Sequence, residues 1–305
     1  MNTPSNAVLE SPLDAQPVTP AATSATRPLY WSIRRELWEN RSIYIAPLVV
    51  AGVVLIGFLI ATIGRAVATV DPAQRTAVLT ERNTFAAGVI MATAIVVGVF
   101  YCLDALHGER RDRSILFWKS LPVSDLTTVL SKASIPLVVL PLLTFAIIVV
   151  MQLIMLLLST AVLLMSGLSV ATLWTPLSLF QMSLVLLYHL VTVHALWHAP
   201  VYAWLLLVSG WARRAVFLWA VLPLVAIQVL EKIAFNTSHF AAILGHRLVG
   251  PESFHFTAPD SVPVHPLMPF DPGKFLSTPG LWIGLAFAAA FLAAAVRLRR
   301  YQGPI

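Results

Sequence analysis

Gly108-Glu109-Arg110-Arg111-Asp112-Arg113-Ser114-Ile115-Leu116-Phe117-Trp118-Lys119-Ser120-Leu121-Pro122-Val123-Ser124 is the densest charge cluster in a chain that is otherwise mostly apolar. Its first half is ionic and cannot enter lipid. Its second half is apolar and aromatic and stops at a proline. Long apolar runs lie on both sides, at about 84–106 and about 133–165. A charged segment between two such runs reads as the connection between two membrane-crossing helices. The Ile, Leu, Phe and Trp that it also carries suggest that something docks there.

Composition supports the membrane reading. The chain has 305 residues, of which 58% are hydrophobic and 11% charged, with a mean hydropathy of +0.81. A soluble globular protein carries about 25% charged residues, so the bilayer is the expected solvent here. The formal charge of +6 does not point to nucleic acid, because the cations sit at span ends rather than in one patch. Cys102 is the single cysteine; it excludes an internal disulfide and is expected to pack as a small apolar residue.

The fold class predicted is all-α integral membrane with six transmembrane helices, organised as one domain over 28–300. Residues 1–27 read as a disordered cytosolic tail rich in Pro, Ala, Ser and Thr, and 301–305 as a short C-terminal tail. No basic start followed by an apolar core opens the chain, so no cleaved signal peptide is expected. Over 28–44, Tyr30, Trp31, Ile33, Leu37 and Trp38 alternate with Arg34, Arg35, Glu36, Glu39 and Arg41. Spacings of three and four suit a helix lying in the membrane surface, aromatic face down and arginines toward headgroups; the alternative is the aqueous start of the first span.

Spans are expected at about 45–63, 84–106, 133–165, 177–210, 216–230 and 281–296. The third is about thirty residues, roughly 45 Å long against a hydrocarbon core of about 30 Å, so it must tilt, kink or protrude, with Pro136 and Pro141 as candidate kinks. The fourth is also overlong, and Pro200 predicts a bend by freeing the carbonyl of Leu196. The loop 231–280 is rich in Pro, His and Phe and is expected to hold a short helix near 234–248, then a proline-rich cap.

With the N-terminus inside, fourteen of the 20 Lys and Arg residues fall on inner segments, among them Arg34, Arg35, Arg110, Arg111, Lys119, Lys132, Arg213, Arg214, Arg297 and Arg299. That bias predicts a cytosolic charged loop (107–130), cytoplasmic termini and an outward-facing 231–280 segment in the cell (inner) membrane. Within the loop, Asp112 or Ser114 can cap a short helix that ends by Leu121, because Pro122 disfavours helix before it. Ser124 can cap the next. Ile115, Trp118 and Leu121, or Leu116 and Ser120, then share a face. Such a helix can lie on the membrane or fill a groove in a soluble partner; a loop that merely sets topology reads the same way.

Glu109-Arg110, then Ser114, then Leu121-Pro122-Val123-Ser124 resembles the loop after the second span in permease subunits of ABC-2 type exporters. The plan of a surface helix, six spans, inner termini and a large outer segment before span six is similar too. The resemblance implies that the loop is a coupling helix, with Glu109, Arg110, Arg111, Asp112, Ser114, Ile115, Leu116, Trp118, Leu121 and Pro122 at the interface with a separate ATPase subunit. It further implies a second permease chain as partner, ATP and Mg held by the ATPase alone, and no enzyme activity or cofactor in this chain. The chain departs from the family at Arg113, where a glycine commonly precedes the Ser or Thr. No phosphate-binding loop is present: Gly273-Lys274 is followed by Phe275.

His189, His194 and His198 lie near the middle of span four. His194 and His198, four apart, share a helical face; His189 points away. Ionisable groups at that depth are functional candidates. They can be neutral histidines hydrogen-bonded to neighbouring helices or to the carbonyl freed by Pro200, pathway lining, or metal or haem ligands. Asp104 and Gln152 are further candidate pathway-lining residues. No serine–histidine–acid or paired-carboxylate pattern argues for catalysis. The readings that compete with an exporter subunit are a membrane redox, metal or haem protein using His194 and His198, and a non-transporting anchor for an ATPase.

Overall fold

The computed structural model describes residues 26–64, 72–121, 123–165, 167, 176–250 and 272–305. The expected N-terminal tail, Pro122 and the proline-rich stretch 251–271 lie outside the described residues. Every regular element among those described is helical. The order is α1 (Thr26–Glu39), α2 (Ser42–Gly64), α3 (Pro72–Ala105), α4 (His107–Arg111), α5 (Ile115–Ser120), α6 (Asp125–Ser134), α7 (Leu140–Met165), α8 (Pro176–His189), α9 (Ala199–Trp211), α10 (Val216–Phe235), α11 (His239–Val249), α12 (Pro272–Leu276) and α13 (Pro279–Tyr301).

Five helical stretches are long and apolar enough to cross a membrane, and a bent pair, Met182–Trp197 with Ala199–Trp211, makes a sixth if counted as one span. Both overlong spans contain a π-helical stretch. Ile135–Val139 joins α6 to α7 around Pro136, and the joined stretch Asp125–Met165 runs 41 residues. A wider turn accommodates a proline that cannot donate. In the fourth span the π stretch is Leu190–Trp197, and the axis bends by 44° at His198. The bend expected from Pro200 is thus present. The carbonyl engaged there is Val193's, which accepts from the His198 amide at 3.2 Å, rather than Leu196's.

Long apolar helices associate through close packing where small residues let them approach. The seam between α9 and α13 is built on Ala199, Ala203 and Ala288. The Cβ position of Gly98 on α3 lies 3.2 Å from the Tyr202 ring of α9. A second core gathers Ala51 and Phe58 of α2, Ala86 and Ile90 of α3, and Ile148, Met151 and Met155 of α7. Cys102 is fully buried among apolar neighbours, as expected. By contrast α10 is peripheral: only 6% of its apolar window is buried, against 44% for α3.

The helix expected near 234–248 is α11, which begins at His239 after a turn. Asn236 closes α10 at φ 52°. The Glu231 carboxylate accepts the His239 and Phe240 amides at 2.7 and 2.8 Å and the Thr237 hydroxyl at 2.8 Å. These bonds satisfy orphan donors of the first turn and fold α11 back onto the bundle.

Candidate functional site

The charged loop is anchored by a buried ionic knot that its own residues only half supply. Glu109, on α4, accepts at Oε1 from Arg35 Nη2 (3.0 Å) and Lys132 Nζ (3.1 Å). Its Oε2 accepts from Arg299 Nη1. Glu36 accepts at Oε1 from Lys132 (2.8 Å) and Arg35 (3.1 Å), and at Oε2 from the Tyr101 hydroxyl (2.9 Å). Arg299 Nε also reaches Asp125 Oδ1 at 3.2 Å. Glu39 Oε1, 3.2 Å from Arg35 Nε, adds a partly exposed fourth carboxylate to the three cations, and α1, α3, α4, α6 and α13 meet in one place. Breaking a buried pair of this kind typically costs several kcal/mol, about 3–5, because the remaining charge stays buried.

Backbone contacts complete the anchorage. Ser209 Oγ, on α9, accepts the amides of Leu106 and His107 at 3.0 and 2.9 Å. Arg110 is buried and donates Nη1 to the Gly210 carbonyl at 2.6 Å and Nε to the Gly303 carbonyl at 3.3 Å. Lys119 Nζ donates to the Gln302 carbonyl at 2.9 Å. Residues 302–305 thus lie across α4 and α5.

Of the residues expected at a partner interface, Glu109, Arg110 and Ile115 are buried within this chain; they hold the loop rather than face outward. Trp118 is half-buried, with the Arg35 guanidinium 3.6 Å from its ring centroid. Arg111, Asp112, Leu116 and Leu121 are exposed, and so is Phe117, which the sequence reading omitted. The helix ends at Ser120, as expected before Pro122. Ser114 stands at the N-cap position of α5, but neither expected side-chain capping bond forms. Asp112 follows α4 and pairs with Arg111 at 3.0 Å, while the Ser114 hydroxyl turns back to the Glu109 carbonyl at 3.4 Å. Ser124 does cap α6, accepting the Thr127 amide at 3.1 Å. Arg113 takes a left-handed φ of 59°, the conformation that glycine adopts without strain.

α1 buries Glu36 and turns Ile33 and Leu37 toward the core, while Tyr30, Trp31 and Trp38 are exposed. Arg34 lies between the Trp31 and Trp38 rings, 5.2 and 5.3 Å from their centroids. Arg35 departs from the expected split of arginines toward headgroups, because it enters the ionic knot. The partners in that knot were the residues sequence reasoning missed. One signal was available: Glu36 follows Ile33 by three positions, on the apolar side of α1.

The second polar region lies farther from the loop. His198, at the bend, has Nδ1 at 2.6 Å from the Val193 carbonyl and Nε2 at 3.2 Å from the Leu248 carbonyl of α11. A neutral ring donates to one of them; a doubly protonated ring donates to both. His194 Nε2 is 3.4 Å from the Tyr202 hydroxyl, and its Nδ1 is buried without a partner among the described residues. The two histidine rings are 6.4 Å apart. Gln152 is buried on α7, with its Oε1 unpartnered among the described residues. Asp104, by contrast, is exposed beside the loop, 3.8 Å from Arg111; the structure does not bring it together with Gln152 and the histidines. No group of three metal-ligating side chains occurs among the described residues.

α11 is fixed to this region by Arg247. Its guanidinium is 4.3 Å from the Trp197 ring centroid, donates to the Gly280 carbonyl at 3.2 Å, and occupies the place where a Cβ on Gly284 would stand. Burial lowers its affinity for the proton below the ordinary arginine value, a change that leaves so strong a base charged at neutral pH. Compared with known protein families, curated proteins and solved structures, the chain matches none.

Proposed function

We propose that this chain is the membrane-spanning permease subunit of an ATP-driven exporter of the ABC-2 type. In this reading α5 is the coupling helix and α1 lies at the membrane surface. The charged loop and both termini face the cytoplasm. A separate ATPase subunit supplies ATP and Mg, and a second permease chain, identical or related, completes the pathway. The carrying observation is α5 itself. One side, Ile115 and Trp118, is fastened to the bundle, and the other offers Leu116 and Phe117 at 59% and 60% exposure. A lever needs two grips on two bodies. The ionic knot is a grip on α1, α6 and α13, so a push on α5 is transmitted to several spans together rather than absorbed in a loose loop.

Leu116→Ala with Phe117→Ala is expected to leave membrane insertion and thermal stability unchanged while abolishing stimulation of the co-purified ATPase. Full stimulation in that variant would remove the lever from the account. External labelling of a cysteine placed at Trp118 would invert the orientation and end the reading. A non-transporting anchor would retain the ATPase and move no substrate in vesicles. The redox or haem reading is weakened by His198, whose two ring nitrogens both face carbonyls, so that a metal would have to take the place of one of them.

A further inference from the structure

At the charged end, the junction of α9 and α10 encloses an open cavity of about 610 Å³ walled by Trp211, Ala212, Arg213, Arg214, Trp219 and Ile305. Arg213 and Arg214 are exposed, and neither side chain has a hydrogen bond or ion pair among the described residues. Arg110, which Arg213 repels, directs its donors to backbone carbonyls instead. Arg213 and Arg214 therefore line the wall with Arg110 behind them, and no Asp or Glu side chain is among the lining residues. The Trp211 and Trp219 rings meet edge-on at 5.0 Å, each partly exposed at 47% and 43%. Ala215, in a left-handed turn at φ 50°, separates the arginines from α10. Just beyond it Phe217 and Leu218 are exposed.

These features combine two unneutralised planar cations, an amphipathic ring pair and an apolar face continuing away from them. Guanidiniums pair with phosphate through two parallel bonds. Tryptophan rings settle at headgroup level. Basic pockets between spans hold anionic headgroups. We propose that this cavity binds the phosphate headgroup of an anionic phospholipid, with the acyl chains running along Phe217 and Leu218. The lipid then fastens α10, which has little protein contact of its own, to the bundle. The orientation proposed above decides only that the leaflet is the inner one; the site itself is independent of the ATPase.

The test uses the full chain purified in neutral detergent, with phosphatidylglycerol or phosphatidylcholine added and bound lipid read by native mass spectrometry. Phosphatidylglycerol is expected to be retained about tenfold or more over phosphatidylcholine, because both carry the phosphate but the choline ammonium of the latter is repelled by the two arginines. R213Q/R214Q is expected to erase that preference without altering the elution profile, because both side chains are exposed. R213K/R214K keeps the charge but loses the planar fork and is expected to retain several-fold less phosphatidylglycerol than the parent. Equal retention of the two lipids overturns the proposal, as does an unchanged preference in R213Q/R214Q. Wild-type behaviour in R213K/R214K reduces the effect to net charge and also overturns a built site. Complete displacement of the lipid by millimolar inorganic phosphate assigns the cavity to a free anion and overturns the lipid.

Discussion

At the charged end Glu36 and Glu109 are buried, yet each of their four carboxylate oxygens accepts from a named donor. In the half of the bundle farther from the loop, Gln152 Oε1, His194 Nδ1 and Arg247 Nη2 are equally shielded without a partner among the described residues; at the charged end Gln302 Oε1 and Arg35 Nε also lack a hydrogen bond, but Arg35 Nε stands 3.2 Å from the Glu39 carboxylate. A closed network resists any displacement that separates its members, since each loses a counter-charge in a medium that cannot replace it. An open one loses little by moving and gains wherever a new partner comes within reach. The contrast assigns rigidity to the end that would be pushed and adaptability to the half where the span is already bent. Removing the centre of the closed network should show the largest effect. Glu109→Gln keeps the shape but leaves Lys132 and Arg299 short of a counter-charge, and the expected loss is about 3–5 kcal/mol, seen as a collapse of the thermal midpoint in detergent. A midpoint within error of the parent would show that water already reaches the knot.

The farther half should respond less, and in both directions. Gly284→Ala places a Cβ 1.2 Å from Arg247 Nη2, so the guanidinium must leave Trp197 and the Gly280 carbonyl. A cost of about 1–3 kcal/mol is expected, confined to α11 and read as faster amide exchange over residues 239–249 with little change in α1 or α6. Global loss of protection instead would mean that α11 is part of the rigid body. Gln152→Leu removes an unpartnered buried acceptor and is expected to raise stability by about 1–2 kcal/mol. If Gln152 also lines the pathway, transport falls while stability rises. A destabilised variant would reveal a partner for the amide and erase the contrast at its clearest point.

The long apolar helices, the bend at Pro200 and the helix break before Pro122 were legible because each follows from one local cause: a long apolar run, or a ring without an amide proton. The cap at Ser124 was legible for the same reason. The ionic knot was not. Arg35, Lys132 and Arg299 flank long apolar runs, as the basic residues that set topology in membrane proteins do, so nothing in the chain says which of them turn inward. That choice depends on which helices meet, and Glu36 to Lys132 is a contact across 96 positions. The same limit explains Arg110, read as a surface charge and found with its donors filled by carbonyls of residues about a hundred positions away. Burial of a charge is a tertiary fact.

The smallest expected effect tests the turn that leads into α5. Arg113 holds φ 59° and Ala215 holds φ 50°, and a side chain in that region is strained by about 1–2 kcal/mol. Glycine relieves the strain but has more freedom to lose on folding, by about 0.5–1 kcal/mol. The net expectation is a gain of about half to one kcal/mol for Arg113→Gly, and the same for Ala215→Gly. Neither residue's side chain makes a hydrogen bond or ion pair that the change would remove. The pair sharpens the contrast because both turns lie at the charged end, where the network should hold the backbone in place whether or not a residue is comfortable there. If Arg113→Gly is neutral while Ala215→Gly stabilises, the Arg113 turn relaxes in solution. The junction between the knot and α5 is then a hinge, and a hinge at that position cannot transmit a push.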